Sequence, residues 1–173
     1  MLDQLISAAG SGPLGQYLSA RETQFAVVLP GSFSIAALAY YATTGRISPR
    51  LQTLWWLALP VSYLCATWVI TSEQQSLYIY SAFSVACAFL LFKRVCVPPA
   101  LAFALTFVAL LSVDLTHAFT RAIVTGSSLQ TFYWGVGGAG MRDSLIVMPA
   151  LTALAMAYGQ MRIRMRGETL LEL

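Results

Sequence analysis

Charge is what this sequence has least of. Only 10% of its residues are Asp, Glu, Lys or Arg, against roughly 25% in an average soluble domain. With 58% hydrophobic residues, the chain has too few charged groups to keep a folded surface in water. A bilayer removes that conflict by replacing water as the solvent. The formal net charge of +3 is too small, and too dispersed among short loops, for nucleic acid to be a partner.

Other absences narrow the chemistry. There is one histidine, His117, which excludes a multi-histidine metal site, and no cofactor is implied. Cys65, Cys87 and Cys96 show no Cys-x-x-Cys spacing; two of them fall inside apolar spans, and all are expected to be small buried core residues. The N-terminus lacks the basic start and unbroken apolar run of a cleavable signal peptide: its first charge is Asp3, and Gly10, Gly12 and Gly15 interrupt it. Internal repeats and low-complexity runs are also missing.

Long apolar segments dominate what is present. A helix needs about 20 apolar residues to cross the roughly 30 Å hydrocarbon core. Phe25–Thr43, Thr53–Ile70, the shorter Leu77–Phe92, Pro98 to about Phe119, and Ser144–Met161 meet or approach that length. The expected fold is therefore all-α, a polytopic transmembrane bundle of five helices spanning residues 25–161. Segments 1–24 and 120–143 are too polar to span. Leu2, Leu5, Ile6 and Ala9 have the spacing of a short amphipathic N-terminal helix.

Basic residues set the orientation, because cytoplasmic loops are enriched in Lys and Arg. Arg46, Arg50, Lys93, Arg94, Arg162, Arg164 and Arg166 fall on one side of the five-helix arrangement; Arg21, Arg121 and Arg142 fall on the other. The expectation is an inner-membrane protein with its N-terminus outside and a basic cytoplasmic tail at 162–173. Tyr40, Tyr41, Trp55, Trp56 and Tyr158 stand at the expected inner helix ends, and Trp68, Tyr78, Tyr80, Phe132, Tyr133 and Trp134 at the outer ends, as interfacial aromatics should. Gly45 reads as a helix stop, Pro98 and Pro99 suit a first turn, and Pro30, Pro60 and Pro149 fall inside spans.

One polar constellation stands out. Asp114, His117 and Arg121 lie at i, i+3 and i+7, projecting within about 60° of one another on a helix. Sixteen residues separate Pro98 from Asp114, about 24 Å of rise. That places Asp114 just below the outer surface of the core. A carboxylate facing lipid costs roughly 2.5–3.5 kcal/mol even on lenient insertion scales. Asp114 is therefore expected to face other helices or an outward cavity, with His117 or Arg121 as its nearest partner in sequence. The stripe reads either as a site or as a structural ion pair at a helix end.

The second element is the glycine-rich loop before the last helix, with Gly137, Gly138 and Gly140 followed by Arg142 and Asp143. Such a loop can bring backbone N–H groups and the positive end of a helix dipole to an anion; its simpler reading is an outer loop with Asp143 capping the helix. It is neither a Walker loop nor a dinucleotide fingerprint. Asp143 also stands two residues beyond the position of the acid in a Gly-x-Gly-Asp motif.

Three functions are compatible with these residues. The first is a non-catalytic membrane subunit or binding component, packed with lipids and with copies of itself or other membrane proteins, presenting an outward polar site. The second is a small transporter or lipid-handling protein using Asp114 as an intramembrane carboxylate. The third is an outer-leaflet enzyme with His117 and Asp114 as an acid–base pair, and Arg121 and Arg142 holding an anionic substrate.

Overall fold

A computed structural model describes residues 12–45, 97–126, 132–134, 136 and 144–165. Among these residues the chain is entirely helical. Helix α1 is Pro13–Ser19, α2 is Arg21–Thr43, α3 is Pro99–Thr125 and α4 is Ser144–Met165. The second and third expected spans, the Leu2–Ala9 pattern and the three cysteines lie outside the described residues.

Both α2 and α3 are long and apolar enough to cross a membrane. At 1.5 Å per residue, the 27 residues of α3 span about 40 Å, more than the roughly 30 Å hydrocarbon core. The two differ in burial. Half of the apolar window of α3 is buried inside the protein, against 17% of that of α2. Among the described helices α3 is thus the central element, and α2 and α4 both pack on it.

Two apolar clusters show how the three long helices run. Val97, Leu101, Ala102, Leu105 and Met156 form one, with Leu38 and Tyr41 against it. Phe107, Leu110, Val136 and Leu145 form the other, with Val27, Leu115 and Met148 against it. The end of α2, the start of α3 and the later turns of α4 therefore meet at one end, here the Pro99 end. The start of α2, the later turns of α3 and the start of α4 meet toward the other, the Ser144 end. Helix α3 is antiparallel to both neighbours.

Small residues let α2 approach. Ala26, Pro30, Ser34 and Ala37 are its buried stripe, and Gly31 lies beside the ring of Phe107. Association in lipid depends on such close contact, since lipid tails are as apolar as leucine. Phe33 adds an edge-on ring contact to Phe103, with centroids 5.2 Å apart. Large apolar side chains on the remaining faces point outward, among them Ile35 at 70% and Leu154 at 65% exposure.

Helix ends and prolines have local explanations. Residues Gln24–Val28 form a π turn, in which the Leu29 N–H reaches the Gln24 carbonyl five residues back. The widened turn directly precedes Pro30, whose ring would crowd the carbonyl four residues back in a regular α-helix. Gly45 and Gly126 both take φ 67°, the left-handed conformation that ends helices. Gly126 closes α3 by donating to Ala122 and Ile123 carbonyls.

Two boundaries depart from the hydropathy expectation. Helix α2 begins at Arg21 rather than Phe25, and α3 runs past Phe119 to Thr125. The polar 120–143 connection is therefore helical in its first residues. Hydropathy marks where a chain leaves lipid; backbone geometry decides where a helix stops. Ala122, which is buried, and the left-handed Gly126 explain the later end.

These contacts predict an asymmetric response to truncation. Phe107→Ala should destabilise the protein by about 3–5 kcal/mol, whereas Ile35→Ala should be nearly neutral, since lipid or detergent replaces its lost contacts. Unfolding in detergent micelles checks both; equal effects would contradict the central packing of α3.

Candidate functional site

The site is built on the last three turns of α3. Asp114 and His117 are half-buried, and Arg121 is exposed. All three lie within one continuous helix, so the expected stripe exists as regular geometry and not as a frayed end. Asp114 and His117 both interact with other groups, and His117 Nε2 is shielded from solvent. The neighbouring stripe of Leu111, Leu115 and Ala118 packs on the Phe107–Val136–Leu145 cluster. Asp114 projects within about 60° of Leu111 and Ala118, so the acid stands beside the packed seam of the bundle and not on its open face.

Hydroxyl groups flank the stripe along α3. Ser112 donates to the Val108 carbonyl at 2.7 Å, Thr116 to Ser112 at 2.6 Å and Thr120 to Thr116 at 2.8 Å. Each hydroxyl is satisfied one turn back on its own helix. The titratable groups of α3 are therefore distinct from its hydroxyl stripe, in keeping with the offset of Ser112 from His117 along the helix.

Residues 132–134 and 136 of the connection between α3 and α4 pack at this end. The Tyr17 hydroxyl of α1 donates to the Val136 carbonyl at 2.6 Å, a buried bond between residues 119 positions apart. The Val136 N–H returns to the Tyr133 carbonyl at 3.1 Å, closing a tight turn. Rings extend the contact: Tyr17 to Tyr133 with centroids 5.1 Å apart, Phe132 to Tyr133 at 5.5 Å and Phe119 to Phe132 at 5.5 Å. Phe132 and Tyr133 were expected as interfacial aromatics. Their contact with Tyr17 was not legible, because nothing in sequence spacing links α1 to a loop over a hundred residues away. The run Phe132-Tyr133-Trp134 inside a polar connection was the available signal.

The remaining site candidates, Gly137, Gly138, Gly140, Arg142 and Asp143, lie outside the described residues. Among the described residues no group of three or more His, Cys, Asp or Glu side chains comes together as a metal site. No family model matches the chain, and neither a curated protein nor a solved structure is similar to it. Function must therefore be argued from these residues alone.

The Tyr17–Val136 bond is testable by itself. Tyr17→Phe keeps the ring but leaves a buried carbonyl without its donor, at a cost of about 1–3 kcal/mol. Amide exchange in the turn at 133–136 should accelerate about tenfold or more, while the core of α3 around Phe107 stays protected. Unchanged exchange at Val136 would show that ring packing alone holds the segment.

Proposed function

We propose that this chain is a multi-pass protein of a bacterial-type inner membrane, with five spans, an outside N-terminus and a cytoplasmic C-terminus. In this reading it acts as a non-catalytic subunit or binding component. Its outward-facing polar site is formed around Asp114, His117 and Arg121, and the glycine-rich loop with Arg142 and Asp143 belongs to the same end. Its partners are membrane lipids and either copies of itself or other membrane proteins.

The observation that carries this reading is the half-buried setting of Asp114 and His117 beside the seam of the bundle, with His117 Nε2 screened from solvent. A general acid–base must exchange protons with a substrate or water. A screened imidazole next to a partnered carboxylate suits a fixed polar contact between helices better. The antiparallel course of α2, α3 and α4 supports the orientation. It puts Arg162 and Arg164 at the Pro99 end and Arg21 and Arg121 toward the Ser144 end, as alternating spans require.

Two measurements test it. Single cysteines placed at Arg21 and at Arg164 in a cysteine-free background should label oppositely with a membrane-impermeant maleimide: the first in intact cells, the second only after permeabilisation. Assembly is tested by extraction in a mild detergent and native electrophoresis. The wild-type chain should run above its monomer mass, and Asp114→Asn or His117→Ala should weaken the assembly about tenfold, the size of one lost buried polar contact. A wild-type monomer, with both variants unchanged in size and thermal stability, would refute the subunit reading.

A further inference from the structure

A groove opens at the Pro99 end, far along α3 from the polar stripe. Its volume is about 370 Å³, and Pro99, Ala157, Gln160, Met161, Arg164 and Met165 line it. On α4, Ala157, Met161, Arg164 and Met165 recur at helical spacing and share one face. The groove is shallow and open: Ala157, Met161 and Met165 are exposed apolar side chains, two of them adaptable methionines, and the Arg164 cation stands beside them.

The polar groups nearby are not equivalent. The Gln160 side chain donates to the Val97 carbonyl at 2.8 Å, tying α4 to the residue just before the Pro98-Pro99 start of α3. That bond holds the two walls of the groove together. Arg162 donates to the Tyr158 hydroxyl at 2.8 Å, with its guanidinium 5.4 Å from that ring's centroid. Arg164 is exposed and makes no hydrogen bond or ion pair among the described residues. One arginine is thus held by the protein, while its neighbour borders an apolar groove. The positive end of the α3 dipole, at Pro99, adds to the same field.

We propose that this groove binds an anionic membrane phospholipid, its phosphate on the Arg164 guanidinium and the first carbons of one acyl chain against Ala157, Met161 and Met165. The complementarity is double: a cation for the headgroup, an apolar slot for the chain. Basic pockets between membrane helices bind anionic headgroups. The volume suits a headgroup with the start of a chain and not a whole lipid. The inference rests on the membrane reading above, but not on the subunit role or on orientation.

The test uses the full chain purified in a neutral detergent, so that binding is read without reference to topology. The thermal unfolding midpoint is followed while phosphatidylglycerol, phosphatidylcholine or inorganic phosphate is added. Phosphatidylglycerol should raise the midpoint saturably, and the other two should not. Arg164→Gln should raise the half-saturating phosphatidylglycerol concentration about fivefold, the contribution of one basic residue to an anionic lipid. Arg162→Gln should leave it near the wild-type value. Ala157→Trp, which fills the slot without altering charge, should abolish the shift and covers the case of an unstable Arg164 variant. Equal shifts from phosphatidylcholine, reproduction of the shift by inorganic phosphate, or full retention in both Arg164→Gln and Ala157→Trp would each overturn the proposal. If the cysteine labelling of Arg21 and Arg164 fails while this titration succeeds, the lipid site stands and the orientation falls.

Discussion

A hydroxyl on a long apolar helix is satisfied most economically by its own backbone, and that constraint runs through the described helices. Along α3, Thr106, Ser112, Thr116, Thr120 and Thr125 each donate a hydroxyl to the carbonyl four residues back. Ser32 and Ser34 do the same on α2, and Thr152 on α4. These side chains behave as internally satisfied groups that add little bulk, so helices can meet closely where Ser34, Ala37 and Gly31 stand. The groups that cannot be satisfied in this way, a carboxylate and an imidazole, are half-buried and engaged by other groups. The location of Asp114 and His117 beside the seam of the bundle follows from the same rule that lets the hydroxyls lie anywhere.

The all-helical class and the courses of α2, α3 and α4 were legible because they depend on local periodicity and composition, whereas α1 at Pro13–Ser19 was not anticipated. The stop at Gly45 was legible for the same reason, since only a residue that tolerates positive φ ends a helix that way. Two kinds of feature were not. Helix ends set by geometry, such as the run through Ala122 to Gly126, escape a hydropathy argument. The π turn before Pro30 is hidden too, since a proline in a span announces strain but not how the backbone relieves it. Contacts between distant segments, Tyr17 with Val136 and Gln160 with Val97, carry no sequence signature at all. For the same reason the groove beside Arg164 was invisible: the sequence shows a basic tail, and only packing against Pro99 turns one arginine of it into the edge of a cavity.

The two ends of the bundle solve a common problem with opposite chemistry. Each end has a backbone carbonyl outside regular helix, Val97 ahead of a proline pair and Val136 in a tight turn, and each receives a side-chain donor from another helix. At the Ser144 end the donor is a tyrosine, whose ring joins Tyr133 and Phe132 in a cluster that reaches Phe119 of α3. At the Pro99 end the donor is a glutamine, which closes two helices together and leaves a slot bordered by an arginine. A donor with a large ring fills the space it enters, whereas a slender amide ties two walls while leaving room between them. Among the described residues the tyrosine end is packed with rings, and the glutamine end borders a groove.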